Sequence, residues 1–298
     1  MDEPISSGIA ADVKRLLGDP TKRIDLDDFV IAHLRAFLDR TSIGNFSVQG
    51  PPPTKEDVAS RLAQYEEAAS DLQTIVVLVA KWATTEQVPI LENAFAHVIE
   101  LDRAESGLTV WLTTRWYPAL YLMYSAGIAA LASKNYVALA AVLRTPVDDD
   151  GGRRRPSQTA ITRVIEGVSD ATDIFKLLPG QERKHTPRSE HLFEVLHQPL
   201  DELLHAGRRY ELLFDTFELF AALTFAETSS SGWVPAGRYA WKYRNNSESG
   251  PLARLRQEAE AGGEKWRPLR AGMFAGSLET FSAAVKLVED DSRRRAWW

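Results

Sequence analysis

Three consecutive prolines, Pro51-Pro52-Pro53, lead into Thr54 and Asp57 and then into Val58, Leu62, Tyr65, Ala69, Leu72, Val76 and Val79, and this stretch constrains the fold most. The prolines exclude a helical approach, and Thr54 with Asp57 has the spacing of a capping box. Alternating intervals of four and three put the apolar side chains on one helical stripe, suited to packing along another helix. The end of the segment, Ile75-Val76-Val77-Leu78-Val79, is apolar on every face, which predicts a deeply buried end while Glu66-Glu67 meets water. A buried strand is the competing reading of that run.

Further helices follow from the same periodicity. Ile24, Leu26, Phe29, Val30, Ile31, Leu34 and Phe37 predict one that starts among Asp25, Asp27 and Asp28, where carboxylates suit the positive dipole end. After a linker at 44–53, the segments 88–101, 116–134 and 136–143 read as helical, the last two forming an αα-hairpin about Ser133-Lys134-Asn135. Ala126, Gly127, Ala129, Ala130 and Ala132 are small, which would let that pair approach closely. The acidic, glycine and basic blocks within 146–156 mark a boundary or loop, and 179–187 marks a second break. From 190 to 227 the chain is helix-rich, with Pro199 expected to divide or kink it and Leu212, Leu213, Phe214, Phe217, Leu219, Phe220, Leu223 and Phe225 forming a broad apolar surface. Gly, Pro, Trp and Tyr between 232 and 244 suggest a short β-hairpin, and Phe274, Leu278, Phe281, Val285 and Val288 a C-terminal helix. The expected architecture is all-α: an irregular multi-helix bundle with helical hairpins, its N-terminal region (1–145) and C-terminal region (157–298) packed as one body.

With 298 residues, 44% of them hydrophobic, the chain can bury a sizeable core. The absence of cysteine excludes disulfides, thiolate metal sites and thiol nucleophiles. A net charge of −6 argues against general polyanion binding. The first 150 residues hold 13 Lys and Arg against 21 Asp and Glu, the remainder 22 against 20, so local basic patches are compatible with the total. The acidic start Met1-Asp2-Glu3-Pro4 matches neither a secretory leader nor a lipidation signal. The longest apolar runs fall short of the roughly 20 residues of a membrane helix, so a cytoplasmic protein without a membrane partner is expected.

Catalytic signatures are sparse. Glu194-Val195-Leu196-His197 and Glu202-Leu203-Leu204-His205 have the Glu-x-x-His spacing of di-iron bundles, but such a bundle draws on four helices with two further inward Glu residues, whereas these units lie eight residues apart on the two sides of Pro199. His33 and His97 read as core or boundary histidines. Phosphate-binding glycine loops, nucleophile elbows and zincin motifs do not occur. No catalytic, metal-binding or cofactor-binding residue is therefore assigned. The contact candidates are an aromatic and basic loop, Trp233, Arg238, Tyr239, Trp241 and Arg244, and the tail Arg293, Arg294, Arg295, Trp297 and Trp298. For the loop, core closure by large aromatics is the alternative, and for the tail, complementing a helix dipole. The runs Arg153-Arg154-Arg155 and Arg293-Arg294-Arg295 are the candidate nucleic-acid contacts, a solvated loop being the alternative for the first.

Several phrases resemble a helical region found in bacterial proteins of the phage-defence kind. They are Gly18-Asp19-Pro20-Thr21-Lys22-Arg23-Ile24-Asp25-Leu26, Tyr117-Pro118-Ala119-Leu120, Tyr124-Ser125-Ala126-Gly127-Ile128-Ala129, His191-Leu192-Phe193, Gln198-Pro199-Leu200, Tyr210-Glu211-Leu212-Leu213-Phe214-Asp215 and Trp233-Val234-Pro235-Ala236-Gly237-Arg238. In that family the region follows a SIR2-like or ATP-binding effector domain, which this sequence does not show ahead of residue 18. The resemblance implies a separate subunit or an excised module, and it carries over no catalytic residue. The expected function is a non-catalytic interaction, sensor or scaffold subunit of a defence-type complex, with a protein partner or a second copy of itself. An enzyme acting on nucleotides or nucleic acid, its carboxylates assembled only by folding, is the alternative, and a nucleic-acid-binding subunit is a third reading.

Overall fold

The computed structural model describes residues 5–100, 106–147, 157–169, 174–243 and 250–295. Helices dominate them, as the periodicity requires. The first half runs α1 (Ile5–Leu17), α2 (Arg23–Arg40), α3 (Lys55–Trp82), α4 (Val88–Ile99), α5 (Thr109–Thr114), α6 (Tyr117–Ser133) and α7 (Tyr136–Arg144). A two-residue ladder, β1 (Pro146–Val147) antiparallel to β2 (Gln158–Thr159), leads into α8 (Ala160–Ser169). Then come α9 (Pro187–Leu204), α10 (Tyr210–Thr228), α11 (Arg238–Lys242), α12 (Pro251–Gly262), α13 (Arg267–Arg270) and α14 (Leu278–Arg294).

The expected start of α3 is present in full: Asp57 N–H donates to Thr54 Oγ1 at 3.1 Å and Thr54 N–H to Asp57 Oδ2 at 2.9 Å. All seven stripe residues of α3 are buried, as is every residue from Leu72 to Ala80. The helix lies along α6, whose residues from Tyr117 to Leu131 are all buried. A helix apolar on all sides belongs at the centre of a bundle, and α6 takes that place with α3, α7, α9 and α10 against it. Polar side chains stitch these layers together. Gln73 donates to Ser125 Oγ at 3.1 Å between α3 and α6, and the Tyr117 hydroxyl donates to Glu66 at 2.6 Å beside His191 of α9. The αα-hairpin turns at Lys134, whose φ of 57° is left-handed, while Asn135 accepts from Ala138 N–H and donates to the Ala80 and Ala83 carbonyls at the end of α3. One contiguous apolar core runs from Ile9 to Val288.

Three expectations need correction. The strand pair is not at 232–244 but at 146–147 and 158–159, and 238–242 is helical. The reason is pairing at helical spacing: Arg238 and Lys242, four apart, both reach Glu211 and Asp215, four apart on α10. Helix α9 passes through Pro199 undivided, because Leu192, Leu196 and Leu200 are buried on one face across it. That packing outweighs the lost hydrogen bond, and the helix ends instead at His205 (φ 50°), with Gly207 N–H held by Asp201. His97 is exposed and bonds only the Asn93 carbonyl of its own helix. Among the described residues no helix is long and apolar enough to cross a membrane.

Candidate functional site

Helix α10 carries two carboxylates inside its phenylalanine-rich face: Asp215 and Glu218, 0% and 3% exposed. A buried charge needs partners or gives up its charge, and the two acids take different routes. Asp215 is paired: Lys242 Nζ lies 2.8 Å from Oδ2, Tyr243 OH donates to the same oxygen at 3.0 Å, and Arg238 Nε lies 3.4 Å from Oδ1. Arg238 also donates to Glu211 at 2.7 Å and lies over the Phe193 ring. The bond from Lys242 pulls Glu211 below the usual carboxylate range against a smaller opposing effect of burial.

Glu218 has no such cation on it. Oε1 accepts from Ser189 Oγ at 2.5 Å and from Tyr124 OH at 3.1 Å, whereas Oε2 has no hydrogen-bond partner. Burial pushes this carboxyl up to about 7 and nearby Asp215 pushes the same way, opposed by the bonds from Ser189 and Tyr124 and by the charge of Arg188. Gly237 packs directly against the carboxylate: a Cβ there would lie 2.1 Å from Oε2. Ser189 Oγ in turn accepts the Arg238 N–H at 2.9 Å, so α6, α9, α10 and α11 meet in one polar knot.

Beside the knot lies a cavity of about 500 Å³, walled by the start of α9, the segment 233–236 and the end of α14, with Thr186, Arg188, Ser189, Trp233 and Arg295 among its lining. Helix α9 has no side-chain cap at its start. Its first intrahelical bond is Glu190 N–H to Thr186 O, so the N–H groups of Arg188 and Ser189 have no partner within the helix. Among the described residues the Arg188 side chain meets no hydrogen-bond acceptor. Burial works against its charge, Tyr124 and Glu218 support it, and Arg295 adds repulsion. Arg295 is anchored by Nε on Asp291 Oδ2 at 2.6 Å and by Nη2 on the Val234 carbonyl. The arrangement concentrates two guanidinium groups and a positive helix end on one cavity, which suits an anion.

The loop and the tail singled out in the sequence thus touch each other: Arg294 donates to the Gly232 carbonyl at 3.2 Å and Arg295 to Val234. Trp233 and Arg295 line the cavity, whereas Trp241, 38% exposed, is outside the lining and reaches it only through its indole N–H on Thr186 Oγ1. Arg238 is buried in the knot, Tyr239 is buried with its hydroxyl on the Pro235 carbonyl, and Arg293 pairs with Glu289 and Asp290. Arg244, Trp297, Trp298 and the run Arg153-Arg154-Arg155 lie outside the described residues. The histidines of the two Glu-x-x-His units do other work, His197 packing on Tyr210 and His205 closing α9. Among the described residues no group of three or more metal-ligating side chains converges. Sequence pattern alone does not single out Arg188, Ser189, Asp215 and Glu218 as site residues. The available signal was two acids three residues apart inside the run Phe214–Phe225, where an apolar face leaves a carboxylate no water.

Comparison of the chain with family models, with curated proteins and with solved structures finds no match.

Proposed function

We propose that the chain is a helical ligand-sensing module that binds a small phosphate-type anion in the cavity at the start of α9 and serves as a subunit beside an effector protein of a bacterial defence-type complex. One observation carries the binding: Arg188, a partly buried guanidinium without a hydrogen-bond acceptor among the described residues, beside Arg295 and two unpaired helix N–H groups. A guanidinium on a cavity wall with no acceptor among the described residues is open to an incoming anion, and its planar fork suits phosphate oxygens. The subunit role is supported by the resemblance of the chain to helical regions that accompany effector domains. Calorimetric titration of the chain with inorganic phosphate at low ionic strength tests the binding. Arg188→Ala is expected to weaken it at least about tenfold, the usual size of a lost charge-assisted bond pair. A wild-type chain that binds no phosphate up to about 10 mM, an affinity weaker than any specific site of this kind, overturns the proposal.

The 2.5 Å contact between Ser189 Oγ and Glu218 favours a second reading. A hydroxyl donating to a carboxylate that titrates near 7, with that carboxylate held by a tyrosine, has the form of a serine activated by a general base. A serine-directed fluorophosphonate reports on it directly. Labelling that disappears in Ser189→Ala supports an enzyme, and an unlabelled wild-type chain removes that reading.

A further inference from the structure

The anion cavity and the buried acid behind it share one side chain. Ser189 belongs to the cavity wall, and its Oγ donates to Glu218 Oε1 at 2.5 Å while accepting the Arg238 N–H at 2.9 Å. A hydroxyl has one proton to give and two lone pairs to fill. With Glu218 ionised, that proton is committed to the carboxylate, and Ser189 has none to offer a guest. With Glu218 protonated, the acid becomes the donor: its proton goes to the second lone pair of Ser189 Oγ, and the serine hydroxyl is released for the cavity. The same contact therefore has two polarities, and only one of them serves an anion.

Charge works in the same direction. Arg188, also on the wall, attracts the Glu218 charge, and Glu218 in turn supports the charge of Arg188. An anion on Arg188 cancels that attraction and adds its own repulsion, which a carboxylate only 3% exposed feels with little screening. The remaining neighbours do not reverse the effect. Tyr124 of α6 donates to Oε1, Asp215 of α10 repels, and Gly237 packs on Oε2. Tyr210 of α10 and Tyr239 of α11 are phenols whose ionisation burial pushes above the usual range. Arg295 of α14 acts on Arg188 and is itself held by Asp291.

We propose that the cavity is a proton-coupled anion site: an anion that binds at Arg188 and Ser189 brings with it the uptake of one proton by Glu218, so that the module reads anion concentration and acidity together. This rests on the anion site proposed above and adds its regulation. Linkage makes the coupling reciprocal, so a medium acid enough to protonate Glu218 tightens anion binding and an alkaline one weakens it. The free carboxyl titrates at about 7 and is raised further by the bound anion. Affinity is accordingly full below that value and falls as pH rises through it.

Sulfate is the probe, because it has the tetrahedral shape of phosphate and keeps both charges across this range. Calorimetric titration of the full chain at about pH 6 and about pH 8 should give an affinity about fivefold weaker at the higher pH, the effect of a rise of about one unit in the Glu218 pKa on binding. Near neutrality, titrations in two buffers of different ionisation enthalpy should return about 0.4 proton taken up per sulfate bound, the value that the same rise implies. Glu218→Gln, which keeps the shape and removes the charge, should bind sulfate equally well at both pH values and take up no proton. Uptake that survives Glu218→Gln belongs to another group, such as His185 in the same lining, and overturns the proposal. The infrared band of a protonated carboxyl, growing as sulfate is added to the wild-type chain near neutrality, reads the same event without any substitution. Sulfate binding with neither proton uptake nor pH dependence in the wild-type chain overturns the coupling and leaves the anion site standing. A wild-type chain that binds neither sulfate nor phosphate overturns both.

Discussion

Between about pH 5 and about pH 8 the protein is expected to lose about 3 kcal/mol of stability through one side chain, Glu218, and Glu218→Gln is expected to abolish that loss. The folded carboxyl keeps its proton up to about 7, whereas the unfolded chain releases it near the ordinary value of 4.5. Between these values the folded state binds the extra proton, so stability is fully present below the lower value and is lost as pH rises through the upper one. The groups facing Glu218 explain why it does not ionise early. Ser189 and Tyr124 donate to it and Arg188 attracts its charge, but burial dominates and Asp215 adds repulsion. Lowered carboxylates elsewhere, Asp19, Asp57 and Glu211, act below this window, because their stabilising effect fades only as pH falls through their own depressed values. Urea denaturation at several pH values measures the difference. A wild-type curve parallel to that of Glu218→Gln across the window would show that Glu218 is charged in the fold.

Gly127→Ala is expected to destabilise the protein by about 2–3 kcal/mol, the cost of overpacking a tight core, and to lower its melting temperature by roughly 5 °C. On an exposed helix the same change would stabilise by about 1 kcal/mol, since glycine is the poorer helix former. Here the sign reverses, because a Cβ at position 127 would lie 2.0 Å from the ring of Phe217, and that ring is fully buried. Phe217 cannot swing away: it packs edge-on to Tyr124 at 4.7 Å, and Tyr124 is itself tied to Glu218. Phe217→Leu in the Gly127→Ala background should recover part of the loss, giving a coupling that a double-mutant cycle reads. Thermal melts in which Gly127→Ala matches or exceeds the wild-type chain would refute the close packing of α6 on α10.

Gly127 also shows where periodicity stops being informative. Its small neighbours suggested a close approach between α6 and α7, and those helices do pack. Yet the space left at Gly127 itself is taken by Phe217 of α10. Pattern shows that a helix face is small or apolar; it does not show which neighbour fills it. Pro199 teaches the same lesson from the other side, since local propensity favoured a break and the burial of Leu192, Leu196 and Leu200 kept α9 whole. The candidate site was legible in halves: Trp233 and Arg295 stood out as aromatic and basic outliers, whereas Arg188, Ser189 and Glu218 sit in stretches whose composition is ordinary for a helix.

What the residues by themselves determined is the set of helices: the Thr54 capping box, the α3 stripe, the αα-hairpin at Lys134 and the all-α class. These rest on hydrogen bonds and apolar spacing within a few residues, and such information is local. The cavity between α9, the 233–236 segment and α14, and the near-neutral acid behind it, were decided by tertiary structure alone. Arg188, Glu218, Gly237 and Arg295 come from four separate stretches, and their charge and burial acquire meaning only when packing removes the water between them.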